Sequence, residues 1–189
     1  MPDQMSSLSR RINRHFAHGD YRRARTLLRG ALRKKPKDHW LLTRLSATYY
    51  EERKYKTALR HSGRALKLAP RCPLVLWDYA GALDMLGNTQ GAMRIWKRLL
   101  WRGEESIAYG ECGEGVRWAR SLLNDCRYRL ALGYADLGRT SMAIRYLWDH
   151  IANRAPGISS NHSLSEAKRF LAELQMKQSR SGVASGSRR

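Results

Sequence analysis

Alanine recurs at positions 24, 58 and 92, each 34 residues after the last. The same interval separates Ala31, Ala65 and Leu99, and it separates Pro36 from Pro70, with Glu104 standing where a third proline would fall. A fourth copy, "LGRTSMAIRYLWDHIANRAP", puts Ala143 in the alanine slot and Pro156 one place beyond the proline slot. A unit this short cannot bury a hydrophobic face alone, so its copies must stack on one another. A period of this length is that of a helix–turn–helix unit.

The residues around each alanine explain the unit physically. Upstream lie apolar positions three and four apart, such as Leu42, Leu45 and Tyr49, or Leu76, Tyr79 and Leu83, which is a helix face. The turn falls at Gly19, Gly87 and Gly138, where glycine takes positive φ without a steric penalty. The small alanine that follows lets two antiparallel helices approach closely. A second helix then buries Leu27, Leu28 and Ala31, or Ile95, Trp96 and Leu99, and proline at 36 and 70 ends it.

With these slots filled, the chain resembles the tetratricopeptide-repeat family, whose pattern has Trp, Leu, Gly and Tyr in the first helix and Ala, Phe and Pro in the second. The match is degenerate. The Trp site reads Leu8, Leu42, Leu76 and Arg127, the Gly site Ile12, Ser46, Ala80 and Ala131, the Tyr site His15, Tyr49, Leu83 and Tyr134, and the Phe site Leu28, Ser62, Trp96 and Leu147. The resemblance implies an all-α fold, a right-handed superhelical array of four repeats at about 5–38, 39–72, 73–102 and 124–156. A capping helix is expected within 157–177, opened by the capping box of Ser163 and Glu166, and a disordered basic tail over 178–189.

The resemblance also implies where a partner binds. In this family the first helices line a concave groove, which here presents Asn13, Phe16, Trp40, Thr43, Tyr50, Trp77, Asp84 and Tyr128 to a protein or peptide partner. The family's carboxylate clamp fits neither register. One gives Ser9, Asn13, Arg44, Leu74 and Asp78, the other Thr43, Ala47, Asp78, Asp125 and Arg129, so chaperone binding through a carboxylate clamp is not expected.

Charge adds a second candidate surface. Thirty-six Lys and Arg against sixteen Asp and Glu give a net charge of +20, and half of that excess lies between Arg10 and Lys37. Arg22, Arg23, Arg25, Arg29, Arg33, Lys34, Lys35, Arg60 and Arg64 fall on or just after second helices, whose free faces form the convex side. The alternative function is therefore docking of an acidic protein or nucleic acid through that face, backbone-driven and salt-dependent.

Catalysis has no foothold in the motifs. There is no Gly-x-Ser-x-Gly, no Walker loop and no His-Glu-x-x-His, and "GECGEG" lacks the Lys-Ser/Thr of a phosphate loop. His15 and His18 lie three apart without a recognisable third ligand, and Cys72, Cys112 and Cys126 lack zinc spacing, so neither metal nor cofactor is expected. The chain reads as a noncatalytic scaffold. With no apolar h-region at its start and no apolar stretch long enough to span a bilayer, it reads as cytoplasmic.

One stretch breaks the period. Ala143 follows Ala92 by 51 residues rather than 34, which places an insertion at 103–123. Its second part continues the helix face of the fourth repeat from about Val116 to Leu137, leaving 103–115 as an acidic, glycine-punctuated loop. Glu104, Glu105, Glu111 and Glu114 are expected to fold back on a basic or aromatic surface and gate the groove.

Overall fold

The computed structural model describes the backbone of residues 2–186 and the side chains of residues 7–180. Among the described residues it contains nine helices and no strand: α1 (Pro2–Ala17), α2 (Tyr21–Lys34), α3 (His39–Glu51), α4 (Tyr55–Leu68), α5 (Pro73–Asp84), α6 (Thr89–Ala108), α7 (Val116–Asp136), α8 (Thr140–Ala152) and α9 (Leu164–Gly186). No helix among the described residues is long and apolar enough to cross a membrane. The chain forms two compact units, Met1–Ala92 and Met93–Arg189, divided within α6.

The alanine slots of the four repeats lie in the core of the helix pairs. Ala24, Ala58, Ala92 and Ala143 are all 0% exposed. Opposite them, Ile12, Ser46, Ala80 and Ala131 are at most 1% exposed. Where Ser46 replaces the small apolar residue, its hydroxyl donates to the Ala58 carbonyl at 2.8 Å and so enters the core with its polarity satisfied. In the first unit, α1 packs on α2, α2 on α3, α3 on α4, and α5 on both α3 and α4. Ile12, Leu28, Leu41 and Leu45 form its core cluster, with Phe16, Trp40 and Tyr49 partly buried against it.

Caps set the boundaries. Asp20 accepts from the Arg23 N–H, Asp38 from the Leu41 N–H and Asn88 from the Gly91 N–H, each satisfying an otherwise unpaired donor at a helix start. Ser163 and Glu166 form the reciprocal pair ahead of α9. The serine hydroxyl accepts from the Glu166 N–H at 3.1 Å, and the glutamate accepts from the Ser163 N–H at 2.8 Å.

Two stretches differ from the sequence expectation. Only part of 103–115 is loop. Gly103, at φ 76° and ψ 170°, bends α6, and the chain then re-enters helix to Ala108, burying Ile107 and Ala108. Those two apolar residues were too few to register as a period. The turn after Ala108 returns tightly enough that a Cβ at Gly113 would sit 2.2 Å from the Ala108 carbonyl oxygen, which explains glycine there. The second difference is the tail: α9 continues to Gly186, so 178–186 is helical, and 187–189 lie outside the described residues. Gln178 donates to the Ser141 hydroxyl at 2.9 Å, fastening this end of α9 to α8.

The turn slot between paired helices holds Gly19 at φ 66°, Gly87 at φ 85° and Gly138 at φ 70°, but the second repeat places Arg53 there at φ 58°. A side chain in the left-handed region costs about 1–2 kcal/mol. Arg53→Gly should therefore raise stability by about 1 kcal/mol and the melting temperature by about 2–4 °C, measured by thermal denaturation followed by circular dichroism.

Candidate functional site

Three places hold side chains that could meet a partner, and each belongs to one unit. The first is the face of α1, α3 and α5 in the first unit. Arg44 donates to the Asn13 side-chain oxygen at 2.8 Å, and its guanidinium lies over the Phe16 ring at 4.0 Å. Tyr50 packs edge-on against Tyr55 at 5.3 Å, and its ring lies beside Gly81, where an added Cβ would be in ordinary contact at 3.5 Å. Trp40, Tyr50, Trp77 and Asp84 are half-buried, and Asn13 is exposed. Burial pushes the Asp78 carboxyl up to about 7, against the pull of Arg44 and with the help of Glu51, so this face changes charge near neutral pH.

Thr43 does not belong to this face. It is 0% exposed, and its hydroxyl donates to the His39 carbonyl at 2.7 Å. A threonine that bonds back to its own helix can sit in the core, and spacing alone does not reveal that choice.

The second place is a cleft of about 410 Å³ between α2 and α4, lined by Arg29, Leu32, Arg33, Pro36, Leu45, Tyr49, Arg60, His61 and Arg64. Arg29 and Arg33 lie one turn apart on α2, as Arg60 and Arg64 do on α4, so each helix presents a pair of cations to the gap. Arg29 donates to the Tyr49 hydroxyl at 2.5 Å, while the Tyr49 ring stacks on His61 at 5.4 Å and 9°. The His61 Nδ1 is buried without a hydrogen-bond partner. Burial, with Arg60, Arg64 and Arg29 adding to it, lowers the His61 ring to about 4, so it is neutral in the open cleft at pH 7.

The nine basic positions expected to act together divide. Arg29, Arg33, Arg60 and Arg64 converge on the cleft. Lys34 and Lys35 stand exposed at the end of α2, and Arg22 and Arg23 are exposed at its start, with Arg23 3.3 Å from Asp20. Arg25 is a correction. It is only 12% exposed, meets Glu52 at 2.5 Å and donates to the Thr48 carbonyl at 3.2 Å, which ties α2 to the end of α3. Hydrogen bonds from Arg25 and Lys54 hold the Glu52 carboxyl below its usual range. No motif marks Tyr49 or His61 as cleft residues. The paired Arg spacing on two second helices was the available signal.

The third place is in the second unit, where the chain covers its own surface. Tyr128, expected in a groove, is 8% exposed and stacks on His162 at 3.8 Å, with Phe170 at 6.5 Å. Asp125 accepts a short hydrogen bond from the Ser160 hydroxyl and another from the Asn161 N–H at 3.2 Å. Arg154 donates to the His162 carbonyl at 3.0 Å. The segment linking α8 to α9 thus lies on Asp125 and Tyr128 of α7. Hydrogen bonds between residues 35 and 36 apart leave no periodic trace in a sequence.

The acidic stretch is held locally as well. Glu104 meets the Arg120 guanidinium at 2.8 Å, and Glu105, Glu111 and Glu114 are exposed. His15 lies 3.8 Å from Asp20, and the His18 Nδ1 bonds the Arg14 carbonyl at 2.7 Å, so the two rings engage different groups.

No family model and no curated protein matches the chain. Solved structures do. A crystal structure of the MamA protein aligns with TM-score 0.59 at 17% identity, covering 93% of this chain and 88% of that one. The apo form of RapI aligns with TM-score 0.71 at 16% identity over 96% of this chain and 66% of its own. A putative kinesin light chain from Podosopora anserina with nearly identical TPR-like repeats aligns with TM-score 0.67 at 14% identity over 98% and 92%. The chain has the tetratricopeptide-repeat fold. Within that fold, α1, α3, α5 and α7 are the first helices of four repeats, and α2, α4, α6 and α8 are the second.

The half-buried imidazole over Tyr128 predicts an acid-sensitive linking segment. Burial lowers the His162 ring from 6.5 to about 4, so the unfolded chain takes up the proton first as pH falls. Stability should drop between about pH 6.5 and 4, by no more than about 3 kcal/mol. His162→Phe keeps the stack and removes the proton. Urea denaturation at pH 7 and at pH 4.5 should show a smaller difference in the variant than in the parent.

Proposed function

We propose that this chain is a noncatalytic scaffold that binds a protein or peptide partner on the first-helix face of its N-terminal unit. The observation that carries this is the condition of that face. Asn13, Tyr50, Trp77 and Asp84 remain wholly or partly accessible on helices whose opposite sides are locked into the core by Leu41, Leu45, Val75 and Leu76. Aromatic side chains held rigidly and half-exposed give up little conformational entropy when covered, which is why they dominate binding energy at interfaces. In the second unit the corresponding positions of α7 are already covered by the chain itself, which supports placing the partner on the first unit.

A second reading, docking of an anionic partner through the second helices, is favoured by one specific observation. The α2–α4 cleft gathers four guanidinium groups and no carboxylate.

Trp77→Ala tests the first reading. With the fold verified by circular dichroism, affinity capture coupled to mass spectrometry should recover the partner with the parent chain and lose it with the variant. Purified partner should then bind the variant at least about tenfold more weakly. Equal binding by both chains would move the interface off this face.

A further inference from the structure

We propose that the cleft between α2 and α4 is a docking pocket for a phosphorylated side chain on a protein partner. The proposal rests on the reading of the chain as a protein-binding module and names the chemistry that one part of it recognises.

The argument starts from unpaired charge. Arg33, Arg60 and Arg64 have no hydrogen-bond or ion-pair partner among the described residues, and Arg29 has only the neutral Tyr49 hydroxyl. Cations four apart on one helix repel, and here two such pairs face each other with no acid in the lining. One turn away on the same helix, Arg25 is neutralised by Glu52. The cleft itself gathers four guanidinium groups and no carboxylate. A dianionic phosphate offers three acceptor oxygens to guanidinium forks that bind such oxygens two at a time, and it relieves the repulsion among them.

The lining favours a phosphopeptide over a single-stranded nucleic acid, and the test below sets it against a duplex. Leu32, Pro36 and Leu45 give the pocket an apolar part beside its charges, suited to the residues flanking a modified side chain. Single-stranded nucleic acids need an aromatic face on which a base can stack. Here the Tyr49 and His61 rings already engage each other, stacked at 5.4 Å, and the Arg25 guanidinium lies over Tyr49 at 5.0 Å.

The test uses the full chain and a degenerate short peptide library with a fixed central phosphoserine, set against the same library carrying serine and against duplex DNA. Fluorescence anisotropy at physiological salt should show the phosphorylated library binding at least about tenfold more tightly than its twin. R60A/R64A should lose that preference, while R22A/R23A, on the same surface but outside the cleft, should keep it. All variants are checked for fold by circular dichroism. Equal binding of the two libraries, duplex DNA binding with the same dependence on Arg60 and Arg64, or equal losses in both double variants would each overturn the proposal.

A second readout is the His61 ring, faced by Arg29 and Arg33 from α2, Tyr49 from α3, and Arg60 and Arg64 from its own helix. Its NMR titration should move upward from about 4 when the phosphorylated library is bound, and an unmoved titration counts against the site. Partner capture that depends on Trp77 but shows no phosphate preference would leave the scaffold reading standing and remove this one.

Discussion

The fold depends on the close crossing of two helices at a residue without a large side chain. Ala24, Ala58, Ala92 and Ala143 are wholly buried at those crossings, and every other regularity follows from them. Once a helix pair is clamped there, its flanking leucines must face the next pair, because a unit this small buries too little surface alone. An added methylene at such a position has nowhere to go in an interior packed as densely as a crystal. The partner slot across the crossing tolerates Ile12, Ser46, Ala80 or Ala131, so the constraint falls on the second helix more than on the first.

The same packing explains why charge is distributed as it is. The first helices α3 and α5 carry one Lys or Arg between them, Arg44, whereas the second helices α2 and α4 carry ten. There Arg25 and Glu52 join one repeat to the next, while four other arginines surround a cleft that lacks a counterion. Two residues of the same type on one helix, Arg25 and Arg29, thus have opposite roles, set by whether the Glu52 carboxylate just after α3 lies within reach.

Much of the architecture was legible in the sequence because it is periodic. The turn glycines, the alanine slots, the Ser163–Glu166 cap and the start of α7 at Val116 each follow from local chemistry. What is not periodic was not legible. The short helix after Gly103 is too brief to show a face, and the continuation of α9 past residue 177 depends on a contact to Ser141 from another helix. Thr43 and Tyr128 occupy groove positions by count, yet one bonds its own helix backbone and the other lies under His162.

That this chain is an all-helical array of repeats, where most of its repeats turn, and that its first 37 residues are strongly cationic can all be read from spacing and composition. These are properties of spacing and composition, which a single strand of residues carries openly. Folding sets which cations lack a partner, brings Tyr49 and His61 among them, and lays residues 160–162 on α7. The reason is physical. Whether a charge or a ring is available depends on partners brought close by folding from tens of residues away, and no local pattern encodes that distance.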